Sequence, residues 1–386
     1  MKIVEVREMP VRLSGNIANA VVDFSRHTVS LVALVSDVMR NGRPVTGFAF
    51  NSIGRFAQSG IIRERLIPRV MSASPDTYLG ADGSLSPAAL YKVLMKDEKP
   101  GGHGDRASAI ATIELAAWDL LAKLDDQPAA NTISKAFGRI PDNRVSVYAA
   151  GGYYYPEGGA DRLREEMKAY QEMGFTQFKM KVGGVPLKED IARLETAVNQ
   201  AGSGSCISVD ANGRFGLEDA ISLGERLKPY HLRWYEEAGD PLDYDLNRQV
   251  IAAYQGPVAT GENLFSVPDV RNLLRHGGMR PGIDIFQMDA GLSYGLTEYA
   301  GMIALMEASG FSRTMAYPHG GHLLNLHIVA GLNLGGCEAY PAVFQPFGGY
   351  LPGLPITEGM IAVPEQPGFG LEAKPELRPY IDQLSG

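Results

Sequence analysis

The sequence predicts an α/β fold: a (β/α)8-type barrel with an N-terminal α+β capping domain completed by the C-terminal tail. Three observations carry this. After Pro141, short apolar strands alternate eight times with longer amphipathic segments, the repeat of such a barrel. Before it, strand patterns come first and helical patterns second, as in an α+β unit. The 386 residues also suit a barrel of about 250 residues plus one smaller domain. A doubly wound open sheet would alternate too, but its dinucleotide form needs a GxGxxG turn after an early strand, and none occurs.

Residues 1–140 form the predicted capping domain. Residues 4–52 read as a meander: 31–35 is apolar, Asn41-Gly42 is a hairpin turn, and 45–50 returns. Residues 61–124 turn helical, and 107–124 is rich in Ala, Leu and Ile. The barrel spans 141–350, with strands expected at 145–150, 177–182, 206–210, 233–236, 257–261, 283–289, 313–317 and 337–340. Residues 351–386, with Pro364, Pro367 and Pro375, hold no further repeat and are expected to pack on the capping domain.

Composition excludes several classes of function. Hydrophobic residues make up 45% and charged ones 21%, and no apolar run approaches the roughly 18 residues of a membrane span. The net charge is −8 with Lys and Arg scattered among acids, so no basic stripe invites nucleic acid. Glu5, Arg7 and Glu8 interrupt residues 1–13, so no leader is expected and the cytoplasm is the expected location. Cys206 and Cys337 lack any CxxC spacing.

The chemistry concentrates at strand ends. Asp210 ends one predicted strand, Glu236 lies 26 residues on at the end of the next, and Glu262 follows after another 26. In a parallel barrel all these ends share one face, so three carboxylates surround one point and should bind a cation. Oxygen-only ligands favour a hard ion, and Mg2+ suits an incomplete cage. Glu237 should point to the opposite face, outside the cluster. In 177–182, Lys179 and Lys181 share the inward face while Phe178 and Met180 take the other. Two inward lysines serve a site, and one tuned toward neutrality can act as a general base. Asp289 ends the sixth strand and His319 follows the seventh, so the carboxylate can orient the imidazole as an acid or base. His319, His322 and His327 could instead form a zinc cluster, but HxxH without HExxH is a weak signal. His322 better suits the start of the following helix.

These residues together resemble the enolase superfamily, mandelate racemase subgroup. The resemblance rests on Lys179-x-Lys181, Asp210, Glu236 and Glu262, Asp289 with His319, Glu338, and residues 364–372. Within the subgroup the chain is most similar to the D-tartrate dehydratases, through Glu98-Lys99-Pro100-Gly101-Gly102-His103-Gly104, Tyr153-Tyr154-Tyr155 and Pro318-His319-Gly320-Gly321-His322. The resemblance implies Lys181 as base, His319 with Asp289 as opposing acid, and Lys179 near the substrate carboxylate. It also implies Lys99, Asn19, Tyr155, Asn212 and Glu338 as substrate contacts. Ile53 stands where the tartrate-like pattern has a polar residue.

The expected activity is therefore that of a Mg2+-dependent lyase dehydrating a small hydroxy diacid, with D-tartrate to oxaloacetate as the leading case. An acid-sugar dehydratase, racemase or epimerase could use the same residues. A metal-dependent hydrolase would typically use histidine ligands, and a binding protein would be expected to lose part of the set. The expected partner is a small hydroxy acid, with neither nucleic acid nor membrane, and a homo-oligomer is the expected assembly.

Overall fold

The computed structural model describes residues 1–15, 17–155, 159–341 and 343–385. The chain opens with an antiparallel sheet of β1 (Ile3–Arg12), β2 (Thr28–Arg40) and β3 (Arg43–Phe50), in that order. Asn41 and Gly42 both take positive φ, 51° and 76°, which gives a two-residue turn matched to strand twist and pairs Arg40 with Arg43. The helices α1 (Ser59–Ile61), α2 (Ile67–Ser72), α3 (Pro87–Leu94), α4 (Asp105–Leu124) and α5 (Ala129–Ala136) follow, with a π-helical turn at Ile62–Leu66 between the first two.

Helix α4 is buried on almost every side, which its many alanines permit by letting neighbours approach closely. Gly47 of β3 lies so near that a Cβ there would sit 2.1 Å from the Ala116 carbonyl oxygen. Asp119 on α4 accepts from the backbone of Phe48 on β3 and of Phe369 in the tail, and it pairs with Lys123 at 2.6 Å.

The barrel staves are β4 (Arg144–Ala150), β5 (Phe178–Lys181), β6 (Ile207–Asp210), β7 (Trp234–Glu236), β8 (Val258–Thr260) and β9 (Ile285–Phe286), paired in parallel in that order. β10 (Cys337–Ala339) returns to pair with β4. The helices between them are α6 (Gly159–Glu172), α7 (Leu187–Ala201), α8 (Leu217–Leu227), α9 (Tyr244–Tyr254), α10 (Val267–His276), α11 (Leu296–Ala308) and α12 (Leu323–Leu332).

The seventh stave departs from expectation. Residues 313–317 form a 3-10 turn, Arg313–Met315, followed by one parallel bridge from Ala316 to Phe286. The sixth stave is also shorter than the expected 283–289. Closure there rests on Tyr317 N to Phe286 O, 2.8 Å, His319 N to Gln287 O, 3.2 Å, and Gly335 N to Ala316 O, 3.0 Å. Arg313 does not extend a strand because its side chain ties Glu307 to the Leu332 carbonyl.

The tail divides its contacts. β11 (Ile356–Thr357) and β12 (Met360–Ala362) form a hairpin, and β12 pairs antiparallel with the start of β4, so this part belongs to the barrel. The rest reaches the capping domain, where α13 (Arg378–Ser385) packs beside β1 and Arg7 donates to the Leu384 carbonyl. Capping domain and barrel are also joined by Glu114, a buried α4 carboxylate that accepts from the first backbone N–H groups of α11, Leu296 at 2.8 Å and Thr297 at 3.0 Å. A negative group at a helix N-terminus satisfies donors that have no partner within the helix.

Candidate active site

Register assembles the site. Lys181, Asp210 and Glu236 are direct cross-strand partners at the ends of β5, β6 and β7. Their side chains share a face because each lies at the same phase of its strand. Glu262 follows β8, and one carboxylate oxygen from each of Asp210, Glu236 and Glu262 lies within 4.8 Å of the others. Asp210 and Glu236 are fully buried. Burial, and then the neighbouring Asp210, push Glu236 up to about 8, so the cluster calls for positive charge. Three hard oxygen donors at this separation fit Mg2+, and these are the residues that would hold it. Among the described residues no histidine joins such a group.

Lys179 and Lys181 have separate surroundings. Lys179 Nζ reaches Glu236 at 2.6 Å, Glu338 at 2.8 Å and Asp210 at 3.4 Å, and is only 1% exposed. Burial disfavours its charge, but the Glu236 and Glu338 carboxylates outweigh that and raise its pKa well above the usual lysine value. Lys181 Nζ contacts Asp210 at 2.5 Å, lies over the Tyr153 ring and lines the cleft. Lys179 and Glu338 are not among the residues that line the cleft. They form an ion pair beneath its floor, where Glu338 also accepts from Gly320 N and the Tyr340 hydroxyl.

Opposite Lys181, His319 lines the cleft with Nδ1 3.3 Å from Asp289 and Nε2 3.2 Å from the Tyr340 hydroxyl. Burial would lower its pKa, yet Glu262, Asp289 and Glu338 raise it to about 9. Asp289 is itself held by Gly291 N at 2.8 Å and by the Asn325 amide. His322 caps α12, accepting from Asn325 N at Nδ1, while Ser52 meets its Nε2 at 3.1 Å. His327 lies against Phe369 with Nδ1 accepting from Ala130 N.

Asn19, Asn212 and Ile53 line the cleft, an open depression whose free space, bulk solvent at its mouth included, is about 710 Å³. Asn19 spends its side-chain oxygen on Val21 N and Val22 N, shaping its own loop. Asn212 donates to Asp210 through its backbone and its side-chain amide, leaving its buried Oδ1 without a partner among the described residues. Lys99 and Tyr155 are absent from the lining. Lys99 is exposed on a loop whose carbonyl accepts from Arg106, and the Tyr155 hydroxyl donates to Glu166 at 2.8 Å. Glu237 corrects the strand reading in the other direction: β7 ends at Glu236, Glu237 takes φ 38°, and its carboxylate turns into the cleft lining. Arg55, Asn263, Tyr153 and Tyr340 complete the polar lining, and no strand-end pattern marked them.

Comparison with known proteins agrees with this architecture. The structure superimposes on a racemase from Streptomyces coelicolor A3(2) with bound magnesium, with a TM-score of 0.77 at 24% identity, over 95% of this chain and 96% of that one. It also superimposes on L-talarate/galactarate dehydratase from Salmonella typhimurium LT2, with a TM-score of 0.77 at 22% identity, over 97% and 90% of the two chains. In sequence, the chain is 28% identical to an arabinonate dehydratase of Saccharolobus solfataricus over 73% of each chain. It is 30% identical to a 3,6-anhydro-alpha-L-galactonate cycloisomerase of Streptomyces coelicolor, over 76% of this chain and 77% of that protein. Residues 162–377, which carry the acidic triad, both lysines and His319, match the model of the enolase C-terminal domain-like proteins, and this chain belongs to that family.

Proposed function

We propose that the protein is a Mg2+-dependent hydro-lyase that removes the proton α to a carboxylate and expels the β-hydroxyl of a small hydroxy diacid, with D-tartrate to oxaloacetate as the leading case. The observation that carries this reading is that Lys181 and His319 line one cleft and meet different members of the acidic triad, Lys181 at Asp210, 2.5 Å, and His319 at Glu262, 3.8 Å. Two of the relatives named above act, by their names, on arabinonate and on 3,6-anhydro-alpha-L-galactonate, which supports a hydroxy-acid substrate.

Asp210, Glu236 and Glu262 would hold Mg2+, which when bound supplies Lewis-acid stabilisation of negative charge developing on a carboxylate. Lys181 Nζ takes the α-proton. Lys179, locked between Glu236 and Glu338, keeps a positive charge below the cleft without exchanging protons with substrate. His319, its Nδ1 held by Asp289, gives the Nε2 proton to the departing hydroxyl, which leaves as water. The resulting enol tautomerises to the keto acid. A racemase would use the same two groups but return the proton to carbon from the His319 side.

The test is to incubate the Mg2+-loaded enzyme with tartrate isomers and larger acid sugars in deuterated water, following keto acid and α-deuterium. D-tartrate should yield oxaloacetate faster than its stereoisomers. His319→Asn should lower keto-acid formation by about 10²-fold or more while the α-proton still exchanges. Undiminished oxaloacetate from that variant would refute the assignment, and inverted acid without keto acid would replace the lyase with a racemase. Turnover of another acid sugar, with none of D-tartrate, would move the substrate and leave the chemistry standing.

A further inference from the structure

We infer that Arg55 is the receptor for a second, distal carboxylate, and that it makes the cleft selective for dicarboxylic over monocarboxylic hydroxy acids. This deepens the proposed function and rests on it for the position of the first carboxylate. Arg55 is half-buried and lines the cleft beside Ile53 and Gly54. A Cβ on Gly54 would lie 3.8 Å from His319 Cε1, so the segment bearing Arg55 covers the imidazole. The guanidinium is preset by uncharged partners: Nη1 donates to the Gly54 carbonyl at 3.0 Å, Nη2 donates to Asn263 Oδ1 at 2.5 Å, and the group sits 5.3 Å over the Phe265 ring. Asn263 cannot flip to repel it, because its amide nitrogen donates to both Glu237 oxygens at 2.9 and 3.1 Å.

The other N–H donors of the fork remain for a ligand, and a planar guanidinium matches a carboxylate with two parallel bonds. No carboxylate bonds Arg55 among the described residues, which sets it apart from Lys179. Among the described residues the basic side chains lining the cleft are Lys181, His319 and Arg55, and the proposed function places the first two at the reacting centre. The described lining also holds apolar Val22, Ile53 and Leu292 and the carboxylates of Glu237 and Glu262, with Glu237 engaged by the Asn263 amide, so outside the reacting centre Arg55 is the one cation there for a distal carboxylate to meet. That gives Ile53 a place in the site: it contributes no polar contact and narrows recognition to its neighbour.

The test compares Arg55→Met and Arg55→Lys with the wild type. Succinate and butyrate, neither of which carries a hydroxyl to lose, are titrated calorimetrically into Mg2+-loaded protein, and kcat/KM is measured for a hydroxy diacid and a hydroxy monoacid. The wild type should bind succinate at least about tenfold more tightly than butyrate, Arg55→Met should lose that preference, and Arg55→Lys should keep part of it. Diacid kcat/KM should fall by about 10²-fold in Arg55→Met, mainly through KM. A succinate preference that survives in Arg55→Met, or is missing from the wild type, overturns the inference. If the preference follows Arg55 while no acid yields a keto acid, the inference stands and the proposed reaction fails. Keto acid formed from monoacids alone overturns the inference and leaves the elimination chemistry standing. Arg55→Gln supplies the same comparison if the Met variant fails to fold.

Discussion

Two lysines on one strand face, two residues apart, carry different expectations because their neighbours differ. Lys181→Ala should abolish exchange of the substrate α-proton with deuterated solvent while the protein stays folded. Lys179→Ala should instead lower stability by about 3–5 kcal/mol in denaturant titrations, since it strands the buried Glu236 and Glu338 carboxylates. Equal exchange rates in wild type and Lys181→Ala would remove Lys181 from the mechanism. His327 carries a pH dependence. Burial lowers its pKa to about 3, so the folded state refuses a proton that the unfolded chain accepts below about 6.5. Its stability contribution is complete above that value and is lost as pH falls toward 3, at up to about 1.4 kcal/mol per pH unit. His327→Gln should flatten the stability profile between pH 6 and pH 4 as followed by denaturant melts, and an unchanged slope would place the acid sensitivity elsewhere. The triad and both lysines were legible because they lie on or just after successive staves, where a period of two and a repeat near 26 residues predict direction, and Asp289 and His319 because they follow the next two segments of that repeat. Glu237 and Arg55 were not: one depends on a single left-handed residue, the other on a loop of the capping domain whose path no periodicity encodes.

At the scale of elements, composition was informative where packing is regular. The alanines of α4 and the Asn41-Gly42 turn predict a tightly packed helix and a hairpin, and both are present. Close approach of β3 to α4 depends on a glycine that no pattern singles out. Gly47→Ala should destabilise the protein by about 3 kcal/mol or more, because the added methyl meets helix backbone rather than a movable side chain. Thermal melts check this, and a fall within about 0.5 kcal/mol of wild type would mean that β3 can shift away from α4. The seventh stave shows the limit of the apolar-run signal. Residues 313–317 have strand-like composition, yet Arg313 is drawn sideways to Glu307 and Leu332, and the chain turns before it can extend. Tyr155 and Lys99 stand outside the cleft lining, the first with its hydroxyl on Glu166 and the second exposed on its loop, placements that a sequence motif does not disclose.

The molecule as a whole should respond to metal. Three carboxylates on successive staves repel one another, so Mg2+ binding to the native state should raise Tm with a concentration dependence equivalent to about 2.7 kcal/mol at one hundred times Kd. Glu262→Gln should remove most of that shift, and a Tm indifferent to both Mg2+ and EDTA would place the ion elsewhere. The link through Glu114 means that capping domain and barrel should melt together rather than in two steps. One consequence lies in how the barrel closes. Its wall has a seam, because between β9 and β10 the ladder is replaced by a single bridge, and the segment crossing that gap carries His319. Backbone amides along β5 to β8 can open only when neighbouring rungs open with them, whereas Tyr317 and His319 depend on isolated bonds. The barrel is thus least cooperative where His319 is mounted, and on gentle denaturation activity should fail while the rest of the wall still stands.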